Sequence, residues 1–114
     1  MIFTTSHDNG ISVVRPGVER LTAVNAATFK AEVSELIDAG AAQLAIDFEE
    51  VSFLDSSGLG ALVGILKKIG HRGDISVCGL NDDLEHMFRL SRMDQVFTSH
   101  RDAVTAVKSM GENL

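Results

Sequence analysis

The stretch Asp55-Ser56-Ser57-Gly58-Leu59-Gly60 carries the residue types in this chain that are best suited to chemistry. One carboxylate, two hydroxyls and two glycines lie between an apolar run and an amphipathic helical pattern. Asp55 or Ser56 is therefore expected at the N-cap of a helix, with both glycines in its first turns. Glycine within a helix costs about 0.8–1 kcal/mol relative to alanine. Close packing against a neighbouring element, or close approach by another molecule, must offset this cost.

Catalytic interpretations of the motif lack required residues. A serine hydrolase elbow needs Gly-x-Ser-x-Gly, which the segment 54–58 does not supply. A dinucleotide fingerprint needs a third glycine at position 63, where Val63 stands, and the match to Gly58, Gly60 and Gly64 is imperfect. A catalytic triad would also need a histidine base, and the four histidines are scattered in polar or turn contexts: His7, His71, His86 and His100.

Metal binding finds little support elsewhere in the sequence. His86 shares a predicted helical face with Asp82 or Asp83, but further recognisable ligands are lacking. The pairs Glu49-Glu50 and Asp82-Asp83 are typical of solvated or helix-capping charges. We therefore expect no metal site, no bound cofactor and no enzymatic activity in this chain.

A modification site is the remaining chemical interpretation of the motif. A serine exposed at a helix N-terminus can accept a phosphoryl group, whose charge of about −1.5 to −2 is stabilised by free backbone N–H groups and the helix dipole. The added charge would repel a partner that buries this surface. The plain structural alternative is that Asp55-Ser56-Ser57 is only a helix cap and that the glycines permit tight packing.

Short apolar runs alternate with amphipathic helical patterns along the chain, which predicts an α/β fold with parallel strand pairing and helices packed on a mixed sheet of about four to five strands. The first two strands are expected to form a hairpin across Asp8-Asn9-Gly10. The predicted strands are Ile2–Thr5, Ile11–Val14, Leu44–Phe48, Ile75–Cys78 and Val96–Phe97. The predicted helices run from Thr22 to Gly40, from Ser57 to Gly70, from an N-cap at Asn81, and from Ser99 or His100 to Met110, the last with Val104 and Val107 facing inward.

The composition excludes several classes of protein. The chain has 114 residues, enough for one domain over 1–114, with 10 basic and 16 acidic side chains and a net charge of −6. This charge and the absence of a basic cluster argue against nucleic-acid binding. No apolar run is long enough to span a bilayer and no signal peptide is visible. The single Cys78 lies in an apolar run and is expected to be a buried thiol, so we expect a cytoplasmic protein.

The segment Phe53-Leu54-Asp55-Ser56-Ser57-Gly58-Leu59-Gly60 resembles the signature of the STAS-domain anti-sigma factor antagonists, bacterial partner-switching proteins. The likeness extends over most of the chain, through the strand before the motif to Met87-Phe88-Arg89-Leu90-Ser91-Arg92-Met93. It implies a single STAS domain in which Ser56 is phosphorylated. It also implies a partner-binding surface formed by Thr22, Asp55, Ser57, Gly58, Leu59 and Gly60.

The resemblance further implies a cycle with two partners. A GHKL-type serine kinase, often itself the anti-sigma factor, binds the unphosphorylated protein and phosphorylates Ser56 with ATP and magnesium held by the kinase. Phosphorylation releases the kinase, and a PP2C-type phosphatase reverses the switch. The exchange between complexes suits a monomer. A competing hypothesis is a STAS module that is not phosphorylated and serves as a scaffold or as a subunit of a signalling or lipid-transport complex.

The sequence departs from the family pattern before the first helix. Many relatives have Gly-x-Leu-Asp there, and this chain has Glu19-Arg20-Leu21-Thr22. Thr22 can cap the helix, but a carboxylate near the phosphorylated serine is lost. The departure concerns the details of kinase docking.

Overall fold

The computed structural model describes all residues from Met1 to Leu114 and contains seven strands and four α-helices. The strands are β1 (Ile2–Ser6), β2 (Ile11–Pro16), β3 (Arg20–Leu21), β4 (Gln43–Asp47), β5 (Phe53–Leu54), β6 (Asp74–Cys78) and β7 (Thr98–His100). The helices are α1 (Ala26–Asp38), α2 (Ser56–Ile69), α3 (Asp82–Leu90) and α4 (Ala103–Glu112). None of these helices combines the length and the apolar character needed to cross a lipid bilayer.

Five strands form the main sheet in the order β1-β2-β4-β6-β7. The predicted hairpin is confirmed, because β1 and β2 pair antiparallel across a turn in which the His7 N–H donates to the Ile11 carbonyl at 2.9 Å. Gly10 supplies the positive φ of 84° in that turn, a conformation that glycine adopts without strain. The remaining neighbours pair in parallel, with α1, α2 and α3 in the connections between them. The predicted mixed α/β sheet is therefore confirmed.

Two apolar layers cover the opposite faces of this sheet. The larger has 20 buried residues and joins one sheet face to α1, α2 and α3, with Phe29, Leu62 and Phe88 among its side chains. The smaller has six buried residues and joins the other face to α4: Ile11, Val13, Ala45, Cys78, Ala106 and Met110. The motif at the start of α2 thus lies on the side of the sheet with the thicker core.

Three predictions near the C-terminus are wrong. The last strand is Thr98–His100 and not Val96–Phe97, because Phe97 is buried as a side chain of the core, where its ring lies 6.4 Å from that of Phe88. The terminal helix begins only at Ala103, after the N-cap Asp102, whose carboxylate accepts from the Thr105 N–H at 2.8 Å. Val104, expected inward, is 80% exposed.

Candidate functional site

Two short strands position the motif. β3 and β5 form a separate parallel pair in which Leu21 lies opposite Leu54. The Asp55 N–H also donates to the Leu21 carbonyl at 3.3 Å. The segment leading to α1 therefore runs beside the segment leading to α2, and Thr22 follows Leu21 as Asp55 follows Leu54. The structure thus brings Thr22 and the motif together, although the sequence analysis predicted neither strand.

Asp55 is the N-cap of α2, which is one of the two positions that the sequence predicted. Its Oδ1 accepts a hydrogen bond from the Gly58 N–H at 3.0 Å, and its Oδ2 accepts one from the Ala23 N–H at 3.1 Å. The hydrogen bond from Gly58 is the main cause that lowers the pKa of Asp55 below its ordinary value; desolvation opposes this, and the bond from Ala23 adds to the lowering. Asp55 is therefore a fixed anion that joins the start of α2 to the segment that precedes α1.

The two serines occupy the first turn of α2. Ser56 is the first helical residue, one position earlier than predicted, and Ser57 is the second. Both side chains are exposed. A group attached to the Ser56 hydroxyl would project from the positive end of the helix dipole, where negative charge is stabilised. Both hydroxyls are therefore accessible while the helix is folded.

The glycines of the motif differ in their surroundings. Gly58 is buried, and a Cβ at this position would lie 2.5 Å from Leu54 Cδ1 and 2.8 Å from the Leu21 carbonyl oxygen. Gly60 is exposed, and a Cβ there would meet nothing within 4 Å. Packing thus explains why a glycine stands at position 58. No contact within the chain requires a glycine at position 60.

The six positions expected to bind the partner are therefore not equally accessible. Ser57 and Gly60 are exposed. Thr22, Asp55 and Leu59 are half-buried, and Leu59 packs against the main core. Gly58, being buried, contributes to the shape of the helix start and offers no contact surface of its own.

Thr22 does not cap α1, so that prediction is wrong. The chain makes one extra turn, and Asn25 precedes the first helical residue. The Asn25 Oδ1 accepts from the Thr22 N–H at 3.0 Å, while the Thr22 Oγ1 accepts from the Val24 N–H at 3.3 Å. Thr22 therefore stabilises the segment that precedes α1. No side chain caps the first turn of this helix.

Residues outside the predicted set also surround the motif. Val24 is 93% exposed beside the Ala23 amide that Asp55 binds. A cavity of about 240 Å³ opens between α1 and α2, and we call it the α1–α2 groove. Its lining residues are Ala26, Ala27, Lys30, Ser57, Gly60 and Ala61. The spacing of Ser57, Gly60 and Gly64 along one face of α2 was a sequence signal for this groove that the motif analysis did not use.

The largest surface cavity, about 490 Å³, lies beside β3 and carries three carboxylates, those of Glu19, Glu49 and Glu50. Glu19 also accepts a hydrogen bond from the Ser52 hydroxyl at 3.1 Å. Three carboxylates at one surface repel phosphate groups, so this cavity does not suit a nucleotide. Neither these carboxylates nor any other group of three or more histidine, cysteine, aspartate or glutamate side chains is arranged so that it could hold a metal ion.

The comparisons with known proteins agree with this geometry. The family model for the STAS domain matches residues 3–106. The anti-sigma-B factor antagonist of Listeria monocytogenes is 37% identical over 54 residues, which are 46% of this chain and 47% of that protein. The chain thus matches about half the length of this curated relative.

Solved structures share the fold over nearly the whole chain. An anti-sigma factor antagonist from Mycobacterium paratuberculosis superposes with a TM-score of 0.85 at 23% identity, covering 96% of this chain and 92% of that one. The Bacillus cell fate determinant SpoIIAA in its phosphorylated form superposes with a TM-score of 0.71 at 20% identity, covering 96% and 98%. With the family match over most of its residues, the same sheet and the motif at the start of α2, the chain belongs to the STAS-domain family.

Proposed function

We propose that this chain is an anti-sigma factor antagonist controlled by phosphorylation of Ser56. The observation that carries the proposal is the position of Ser56: an exposed hydroxyl, first in α2, directly after the fixed Asp55 carboxylate. The functions for which the Listeria and Mycobacterium relatives are named support the class of function, and the phosphorylated Bacillus structure supports a fold that tolerates a phosphate.

The switch acts through the charge at the start of α2. Before phosphorylation, the motif residues around Ser56 are uncharged apart from Asp55, and a partner can bury them at low desolvation cost. A phosphate adds a charge of about −1.5 to −2 beside the Asp55 carboxylate. The α2 N-terminus stabilises this charge within the chain, while a partner that covers it loses affinity because a buried charge needs a partner of its own.

The proposed partners supply all the chemistry. A GHKL-type serine kinase, acting as the anti-sigma factor, would hold ATP and magnesium and transfer the γ-phosphoryl group to the Ser56 oxygen, with ADP as the leaving group. A PP2C-type phosphatase would hydrolyse the phosphoserine. The chain itself would work without enzymatic activity or cofactor as a monomeric single domain in the cytoplasm, where ATP is available.

The test uses the purified chain with each purified GHKL-type kinase of the organism that encodes it. With ATP and magnesium, intact-mass spectrometry should show one added phosphate on the wild type and on Ser57→Ala, and none on Ser56→Ala. In titration calorimetry, Ser56→Ala should bind the same kinase as tightly as the wild type, whereas Ser56→Asp should bind more weakly. Ser6→Asp, at an exposed serine of the edge strand β1, is the matched control for the added charge and should bind as tightly as the wild type.

Two results would contradict the proposal. The first is that no kinase binds or modifies the wild type. The second is equal affinity of Ser56→Ala and Ser56→Asp for the kinase that binds. A STAS scaffold that is not phosphorylated would instead carry no phosphate on Ser56 in cells, even when phosphatases are inhibited.

A further inference from the structure

The α1–α2 groove ends at a lysine that lies across α2. Lys30 extends from α1 over Gly64, where an added Cβ would lie 2.6 Å from the lysine Cε and 2.8 Å from its Nζ. Any side chain at position 64 would displace the ammonium group from this place. Glycine disfavours the interior of a helix more than most residues do. Its presence at position 64 leaves the space through which Lys30 crosses the helix.

Lys30 has no ion-pair partner within the chain. A second lysine farther along the same pair of helices is neutralised, because Lys68 Nζ of α2 lies 2.9 Å from Asp38 Oδ1 of α1. None of the three ion pairs of the structure involves Lys30, and no carboxylate lies within 4.0 Å of its ammonium group. The groove therefore contains one uncompensated positive charge in a chain whose net charge is −6.

The other groove residues leave room for a foreign side chain beside this charge. Ala26, Ala27, Gly60 and Ala61 present at most a methyl group each, and Gly60 has no steric reason for its lack of a side chain. Ser57 lines the groove at the end next to Ser56, so the groove continues from the proposed phosphorylation site.

We infer that the α1–α2 groove receives an aspartate or glutamate side chain of the kinase partner, whose carboxylate pairs with the Lys30 ammonium. This inference rests on the proposed function and adds the chemistry of the contact. Charge complementarity selects a carboxylate, since the groove offers a cation and no acidic side chain. A phosphate on Ser56 would then repel the incoming carboxylate as well as oppose burial, which gives phosphorylation a second way to release the kinase.

The test compares two lysine reversals with equal change in net charge. Lys30→Glu alters the groove, and Lys108→Glu alters the exposed surface of α4 on the opposite face of the sheet. With the kinase that phosphorylates the wild type, Lys30→Glu should weaken binding at least about tenfold, since like charges are then juxtaposed. It should raise KM for phosphorylation of Ser56 and leave kcat unchanged. Lys108→Glu should bind within about twofold of the wild type.

A second arm identifies the partner residue. Each aspartate and glutamate on the contact face of the kinase is changed to lysine, and one such variant should restore binding to Lys30→Glu while it weakens binding to the wild type. The affinity of Lys30→Met for the kinase should lie between those of the wild type and of Lys30→Glu. Circular dichroism melting checks that each variant is folded. We expect both Lys30 variants to fold, because the Lys30 side chain is exposed.

The failures are distinguishable. If the kinase modifies Ser56 and Lys30→Glu binds as tightly as the wild type, or more tightly, a neutral or basic segment occupies the groove and the inference is wrong while the proposed function stands. If no kinase binds the wild type, the proposed function fails and the inference fails with it.

Discussion

The Asp55 carboxylate binds the Ala23 amide, with 3.1 Å between Oδ2 and the nitrogen, while its other oxygen caps α2 through Gly58. One side chain therefore fixes both the motif and the exposed segment that precedes α1. The stretch that differs from many family members, Glu19 to Thr22, is connected to the motif through this carboxylate and through the pairing of β3 with β5. We therefore expect changes in that stretch to affect the position of Ser56 through these backbone contacts.

Asp55→Asn should make the stability of the chain less dependent on pH. The pKa of Asp55 is lowered from 3.8 because backbone hydrogen bonds in the folded state, first of all that from Gly58, stabilise the ionised carboxylate. Its stabilisation is therefore complete above pH 3.8 and disappears as the pH falls through the lower folded pKa. Asparagine caps helices comparably but does not ionise. The difference in melting temperature between wild type and variant should shrink as the pH is lowered below about 3.8; a constant difference would contradict the role of the ionised carboxylate.

Gly58→Ala should destabilise the fold. The added Cβ would clash with the Leu21 carbonyl, which is backbone held by the β3–β5 pairing and cannot easily shift. Overpacking of this kind lowers the free energy of unfolding by about 1–3 kcal/mol. Urea denaturation followed by circular dichroism measures the effect, and an unchanged midpoint would show that the two segments can separate without loss.

Gly60→Ala should act in the opposite direction on stability. Nothing lies within 4 Å of the new methyl group, so the helix gains about 0.8–1 kcal/mol from propensity alone. At the same time, the methyl group narrows the α1–α2 groove, and the affinity for the kinase should fall. The same denaturation experiment, paired with calorimetry, tests both effects. A variant that is more stable and binds equally well would show that the partner does not approach this glycine.

Cys78 should be unreactive in the native protein. Burial is the main cause that raises the pKa of its thiol to about 12, and the nearby Asp47 carboxylate adds to the effect. On the order of 10⁻⁴ of the thiol is then ionised at pH 8, and only the thiolate reacts readily. A disulfide reagent added at pH 8 should label the chain rapidly in denaturant and very slowly without it. Fast labelling of the folded chain would indicate frequent local opening around β6.

The elements with complete local signals could be predicted from the sequence. The hairpin had its Asp-Asn-Gly turn, and α2 had a cap, an apolar stripe and the terminal Gly70. The expected caps at Asp55 and Asn81 are both present, and the Asn81 side chain accepts from the Leu84 N–H at 2.8 Å. Such signals are contained within a few residues, so no knowledge of the tertiary structure was needed.

The missed elements depend on contacts between distant residues. β3 and β5 have two residues each and form only where two distant segments meet. Arg20 lies opposite Phe53 in this pair, with the guanidinium 4.2 Å from the ring centroid. In α4 the inward face follows the small Ala106, which packs close to the sheet, while the more apolar Val104 faces solvent. Hydrophobicity alone therefore placed Val104 wrongly, whereas Val107, the other valine expected inward, does pack against the smaller cluster.

The spacing of small residues on α2 indicated one wall of the α1–α2 groove, but the lysine that lies across it could not be predicted from the sequence, for the same reason. Lys30 and Gly64 are distant in the chain and meet only when α1 packs against α2. The predicted partner surface, taken from the motif itself, therefore contained the buried Gly58 and omitted Val24 and Lys30.

The unequal layers on the two faces of the sheet imply that the molecule opens in stages. Undocking of α4 exposes a cluster of six buried residues, whereas separation of α1 and α2 disrupts one of 20. Amide hydrogens of α4 should therefore exchange with deuterium by local opening, well before those of α2. Equal exchange rates for the two helices would indicate a single cooperative unit. If α4 opens first, the surface around Ser56 persists during such fluctuations, and a bound kinase would not sense them.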